Sequence, residues 1–137
     1  MSDLEARAAI ADLVHGYARN IRGGKGADCA SLFTSDGVFE IRDAPLGSSE
    51  APTVRTRLEG QEAIRAYLTG GAASEVRVCP MIHNLMIQVD GGQASSDCVM
   101  EAITSNGLRM FGEYHDRYLY EDGWRFVSRI YTIFGQI

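Results

Sequence analysis

No apolar run in this chain is long enough to cross a membrane, and Met1-Ser-Asp-Leu-Glu lacks the basic and apolar regions of a secretory signal. A soluble, cytoplasmic protein is therefore expected. Cysteine is scarce: Cys29, Cys79 and Cys98 are odd in number and follow no metal-ligand spacing. That argues against a disulfide framework or a zinc motif and for reduced thiols. Positive charge is not in excess either. A formal charge of −5 argues against nucleic acid as the main partner. Internal repeats and low-complexity tails are missing. The chain does have 137 residues, 45% of them hydrophobic and 9% aromatic, enough for one domain over 1–137 with a real core.

Taken in order, Ser2-x-x-Glu5 is a capping-box pattern, in which each side chain can satisfy an orphan amide at a helix start. Ala6, Ile10, Leu13, Val14, Tyr17 and Ile21 recur at helical spacing, and Gly23-Gly24 should end that helix. Gly23-Gly24-Lys25-Gly26 lacks the Lys-Ser/Thr pair and the preceding strand of a phosphate cradle, so it reads as an inter-helix loop. A short helix over about 27–33 and a strand from Gly37 to Arg42 follow. Pro45, Gly47, Ser48, Ser49 and Pro52 then mark a surface loop. Gly60 to Thr69 predicts a third helix, with Ile64, Tyr67 and Leu68 inward and Gly70-Gly71 stopping it. From Val76 onward, strands at about 76–89, 94–105, 108–120 and 124–135 are joined by Asp-Gly-Gly, Ser-Asn-Gly and Asp-Gly turns. That is a meander of antiparallel hairpins, and helices followed by a long curved sheet make an α+β plan.

The stretch from Cys79 to Asp90 organises the rest. Strict alternation after Pro80 places His83, Leu85, Ile87 and Val89 on one face. A two-residue Gly91-Gly92 loop sets Met100 opposite His83 and Cys98 opposite Leu85. For the next hairpin, a two-residue Asn106-Gly107 loop would turn Glu113 and His115 inward. A three-residue loop, Ser105 to Gly107, turns in Met110, Gly112, Tyr114 and Asp116 instead. Burial of the apolar even-numbered row chooses the second, with Gly107 in αL and His115 outward. The Asp122-Gly123 turn pairs Glu121 with Trp124, which sets Asp116 opposite Arg129 and Tyr114 opposite Tyr131. One face therefore carries His83, Cys98, Met100, Gly112, Tyr114, Asp116, Arg129 and Tyr131, too polar for a plain core. A polar-lined cavity under the helices accounts for it better. By itself, Asp116–Arg129 reads as a structural ion pair. Phe111, Leu119, Trp124, Phe126 and Ile130 fall on the opposite face, an apolar outer row that predicts a homodimer or larger assembly.

Tyr17-Ala-Arg-Asn-Ile-Arg-Gly-Gly, Leu32-Phe33-Thr-x-Asp36, His83-Asn84-Leu85, Gly112-x-Tyr114-x-Asp116 and Asp122-Gly-Trp-Arg-Phe126 occur in that order over nearly the whole chain. The series resembles the SnoaL-like branch of the nuclear transport factor two-like superfamily. The resemblance implies a cone-shaped α+β barrel, with three N-terminal helices packed on a curved, mainly antiparallel sheet around a deep pocket. Relatives include scytalone dehydratase, bile acid dehydratase, hexachlorocyclohexane dehydrochlorinase, ketosteroid isomerase and polyketide cyclases. That range implies a cofactor-independent lyase or isomerase acting on a small, largely apolar cyclic substrate, although the fold alone does not name it.

Dehydratase-like relatives pair a pocket His with a carboxylate five residues after the helical Tyr. His83 and Tyr17 match that His and Tyr, while the carboxylate position holds Arg22. An Arg cannot orient a neutral imidazole as a base, but it could clamp an anionic substrate group or point to solvent at the helix end. On the enzyme reading, His83 is the general base and Tyr17 or Tyr114 donates to a developing oxyanion. Arg22, Cys98, Met100, Met110, Gly112, Asp116, Arg129 and Tyr131 then bind substrate, and no cofactor, metal, nucleic acid or membrane partner is expected. The alternatives are a ligand-binding module without chemistry, favoured by the lost carboxylate, and a subunit role like that of the small subunits of ring-hydroxylating dioxygenases. An epoxide hydrolase would want an Asp-Arg-Asp cluster, of which Asp116–Arg129 is only part.

Overall fold

A computed structural model of the chain describes residues 1–70 and 75–137. Ser2 caps α1 (Asp3–Arg22) by accepting a hydrogen bond from the Glu5 amide at 3.1 Å. Ala6, Ile10, Leu13, Val14, Tyr17 and Ala18 form its buried stripe, with Ile21 half-buried at the end. The helix closes where the Gly23 amide bonds back to Arg19 and Gly24 takes a φ of +72°. The short α2 (Gly26–Ala30) leads into β1 (Phe33–Asp43), which starts earlier than the pattern suggests. β2 (Thr53–Glu59) has no counterpart in the expected elements; it pairs antiparallel with β1 and is mostly exposed. α3 (Gln61–Thr69) buries Ile64 and ends at Gly70; the other half of the expected stop, Gly71, lies outside the described residues. Tyr67, expected inward, is 41% exposed but keeps its ring 6.3 Å from Phe39.

β3 (Val78–Asp90), β4 (Gln93–Thr104), β5 (Arg109–Tyr120) and β6 (Trp124–Gln136) form the expected meander. The sheet order is β2-β1-β6-β5-β4-β3, antiparallel throughout except for the parallel β1–β6 pair. This unclosed sheet curves around α1, which crosses β3 and reaches β6, while α2 packs on α1 and α3, and α3 packs on β1. The result is the α+β cone. Its core is aromatic: Phe33 and Tyr118 each sit 5.1 Å from Phe126, and Tyr17 meets Phe126 edge-on at 5.9 Å. Each such buried ring is worth roughly 2 kcal/mol or more by area alone.

Bulges decide which side chains face that core. In β3, His83 pairs with Val99 and Met86 with Asp97, so Asn84 and Leu85 together span one partner residue, with Asn84 at φ +55°. The alternation reverses there. Met100 faces Ile82, and His83 turns to the outer face, contrary to the register expected from the Gly91-Gly92 turn. In β6 the last turn pairs Tyr120, not Glu121, with Trp124, which brings Trp124 and Phe126 inward, 8% and 0% exposed. A bulge at Val127 then restores Asp116 opposite Arg129 and Tyr114 opposite Tyr131. The expected apolar outer row thereby loses Trp124 and Phe126, while Phe111, Leu119 and Ile130 stay outside. The hairpin between β4 and β5 has its three-residue loop with Gly107 at φ +86°, and Met110, Gly112, Tyr114 and Asp116 point inward.

Candidate active site

Four elements bring polar groups together inside the cone. α1 contributes Tyr17, β4 Ser96, Cys98 and Met100, β5 Tyr114, Asp116 and Tyr118, and β6 Arg129 and Tyr131. Asp116 and Arg129 lie directly opposite each other, both side chains 0% exposed, with Arg129 Nε donating to Asp116 Oδ1 at 3.1 Å. The guanidinium carbon sits 3.5 Å from the Tyr114 ring centre, 4.3 Å from that of Tyr17 and 4.6 Å from that of Phe126. Desolvated cation–π contacts of this kind are worth about 2 kcal/mol. They engage only the faces of the guanidinium. Among the described residues, Nη1 and Nη2, in its plane, have no hydrogen-bond partner. Two donors left buried in this way cost about 1–3 kcal/mol each until something accepts from them.

The other Asp116 oxygen accepts from the Tyr118 hydroxyl at 3.4 Å, and that hydroxyl also shares a hydrogen bond with Ser96 at 2.7 Å. Tyr131 donates to the Met100 carbonyl at 2.9 Å. Burial pushes Asp116 up to about 6, although the Arg129 charge and hydrogen bonds from Arg129 and Tyr118 pull the other way. Burial likewise raises Tyr114 and Cys29 to about 12 and Cys98 to about 11, and holds Tyr17 well above its ordinary value. The phenols and thiols therefore stay neutral at pH 7. They can donate hydrogen bonds, while Asp116 can exchange a proton near neutrality.

A cleft of about 720 Å³ lies between the end of α1, α3 and the start of β3, walled by Ile21, Tyr67, Leu68, Arg77 and Val78. Tyr17 lies one helical turn behind Ile21, about 6 Å deeper along α1. Ile82 and Met110 are half-buried against the core. At Gly112 an added Cβ would fall 1.9 Å from the Thr132 carbonyl oxygen, so close strand packing explains that glycine without a ligand.

Two residues expected at the site lie elsewhere. His83 is half-exposed on the outer face, its Nε2 3.5 Å from Glu101, which also pairs with Arg109 at 2.7 Å. Arg22 is exposed and lines a separate groove with His15, Arg19, Pro80 and Ile82, on the flank of α1 beside β3. The expected His83 base and Arg22 clamp are thus both outside the cone. The β3 bulge turns the first away, and the second sits on the solvent side of the last turn of α1. Two interior groups escaped the sequence reading. Ser96 lies in a polar stretch with no motif, and the Val127 bulge hides the inward position of Phe126. Among the described residues, no three His, Cys, Asp or Glu side chains converge as a metal site, and no helix is long and apolar enough to cross a membrane.

The profile of the SnoaL-like domain family matches residues 2–130. No curated protein matches the chain. Among solved structures, the chain is similar to a candidate scytalone dehydratase from Novosphingobium aromaticivorans, with 21% identity and a TM-score of 0.80 over 98% of this chain and 88% of that one. The β subunit of a candidate aromatic-ring-hydroxylating dioxygenase from the same organism aligns with 17% identity and a TM-score of 0.77, over 95% and 90% of the two chains. A Catenulispora acidiphila protein solved in complex with S-DNPA aligns with 21% identity and a TM-score of 0.69, over 96% and 95%. At these identities the likeness shows the fold.

Proposed function

The chain belongs to the SnoaL-like domain family, and on that premise we propose that it is a cofactor-independent lyase or isomerase for a small, largely apolar cyclic substrate, with Asp116 moving the proton. The observation that carries this reading is a fully buried carboxylate, pushed up to about 6, beside an arginine whose Nη1 and Nη2 have no hydrogen-bond partner among the described residues. At neutral pH Asp116 is mostly ionised yet more basic than an ordinary carboxylate. It would take a proton from the carbon next to a ring carbonyl; the C–H electron pair would form a carbon–carbon double bond and the C=O π pair would move onto the oxygen. Tyr17 and Tyr114 would donate hydrogen bonds to that oxygen, and Arg129 would offset its charge. Asp116 would then return the proton to a different carbon, which isomerises the ring. Given instead to a β-hydroxyl leaving as water, it completes a dehydration. Cys98, Met100, Met110, Gly112 and Tyr131 would form the walls. Fold relatives that include a candidate dehydratase and a complex with a small molecule support the class of reaction.

The test is turnover of a panel of cyclic β-hydroxy ketones and enones. Asp116→Asn should lower kcat/KM about 10²–10⁴-fold, the usual worth of a positioned base. His83→Ala should match the unaltered protein. Because Asp116→Asn also loosens a buried pair, the pH profile supplies an independent readout. Activity should fall on the acid side with an apparent pKa of about 6, as Asp116 becomes protonated. Equal turnover by Asp116→Asn, or a profile flat through that range, would overturn the assignment. A second reading, ligand binding without chemistry, is favoured by the closure of Asp116 and Arg129 behind aromatic rings. Tight binding of panel members with no turnover would establish it.

A further inference from the structure

Seven of the thirteen lysine and arginine side chains form ion pairs. Of the six with no carboxylate partner among the described residues, four gather at one place: Arg19, Arg22, Lys25 and Arg77 surround the C-terminal end of α1. The helix dipole accounts for part of this, since a helix C-terminus carries about half a negative charge. Four cations exceed that. The surplus stands out in a protein whose formal charge is −5.

Arg77 occupies the decisive position. Its guanidinium lies against the backbone of Gly24, so close that an added Cβ there would fall 1.6 Å from Nη1. The φ of +72° at Gly24 suits glycine, and any side chain there would displace the Arg77 guanidinium. Arg77 thereby stands in the wall of the 720 Å³ cleft as the one charged residue among those described there, beside Ile21, Tyr67, Leu68, Val76 and Val78. An apolar cleft with one cation in its wall has the chemistry of a site for an apolar acid.

We propose that this cleft binds a small apolar molecule ending in a carboxylate, with Arg77 receiving the carboxylate and Arg22 and Lys25 adding to the attractive field. The inference deepens the proposed function and rests on the cleft being the way into the cone. It names an anionic substrate class. An acid held at Arg77 would place its ring toward Tyr17, one helical turn below.

The test is calorimetric titration of the full chain with 1-naphthoate and 1-naphthamide, which share a ring system and differ in charge. The unaltered protein should bind naphthoate about tenfold more tightly, the factor that one charge-assisted hydrogen bond supplies. The preference should shrink between about 20 mM and about 200 mM salt, where screening shortens its reach. Arg77→Gln should abolish it and leave naphthamide unchanged, and Arg77→Lys should retain part of it. Arg117→Gln, which removes an unpaired cation from β5, should have no effect. If Arg77→Gln fails to fold, Arg77→Lys and the salt dependence still decide. Equal affinities in the unaltered protein, a preference that survives Arg77→Gln, or no binding of either probe would overturn the proposal. The naphthoate preference does not depend on turnover of the ketone and enone panel, so failure of the proton-transfer assignment would leave this proposal standing, and the reverse.

Discussion

Asp116 and Arg129 show how much a single buried pair constrains. Its charges cannot reach water, and only one of the guanidinium nitrogens has a carboxylate to meet. Removing one partner leaves the other as an uncompensated buried charge, whereas removing both need cost little. Asp116→Ala should therefore lower stability by about 3–5 kcal/mol in urea denaturation, and Asp116→Leu with Arg129→Met should recover most of that loss. A double variant no more stable than the single one would show that the pair is not coupled in this way. The meeting of Asp116 with Arg129, and of Tyr114 with Tyr131, matches the expected pairing, but a longer turn and a compensating bulge at Val127 produce it. Their value as a site is not legible in the sequence, because burial and the empty Nη1 and Nη2 belong to the packed interior. His83 shows the converse. Its neighbours in sequence place it in an apolar row, and one extra residue in β3 puts it beside Glu101 in water.

At the scale of elements, the recurrent event is the β-bulge. The expected turn at Asp122-Gly123 was one residue too short, and the bulge at Val127 made up the difference. Arg129 and Tyr131 therefore face inward as expected, while Trp124 and Phe126, ahead of the bulge, do not face outward as expected. The β3 bulge rests on Asn84 at φ +55°, a conformation that Asn tolerates and a β-branched residue does not. Asn84→Gly should leave urea stability within about 0.5 kcal/mol, and Asn84→Val should cost about 1–3 kcal/mol. An unchanged midpoint for Asn84→Val would mean that the bulge does not depend on that backbone conformation. Helices were easier to read. The Ser2 cap, the α1 stripe and the Gly23-Gly24 stop are local signals acting within a few residues. β2 was missed because its charged residues, Arg55, Arg57 and Glu59, form ion pairs along the sheet and leave no apolar row to see.

For the whole molecule, the sheet stays open, with β2 and β3 as its edges. Its outer face mixes Phe111 and Ile130 with polar contacts such as the His115–Asp97 hydrogen bond and the Glu101–Arg109 ion pair, and it carries neither Trp124 nor Phe126. Association through that face remains a proposal, now without its aromatic centre. Trp124 packs instead against Tyr120, with ring centres 5.4 Å apart, and its Nε1 lies 3.2 Å from the Met1 sulfur. Its fluorescence should hence stay constant on dilution across any dissociation seen by light scattering. A change in emission that tracks dissociation would place Trp124 at an interface after all.

The amino-acid sequence by itself determined the α+β class, the order of the helices and of every strand but β2, and the family. These rest on local periodicity, caps and turns, which act over a few residues and survive small errors of register. It also placed Asp116 opposite Arg129 and Tyr114 opposite Tyr131, but not Tyr120 opposite Trp124. Only the tertiary structure decided where the bulges fall, and so which residues around them see the interior. Side-chain direction in a strand has a period of two, so one inserted residue reverses every side chain beyond it without altering the pattern of residue types. His83 left the cone on that account, while Asp116 lies buried inside it.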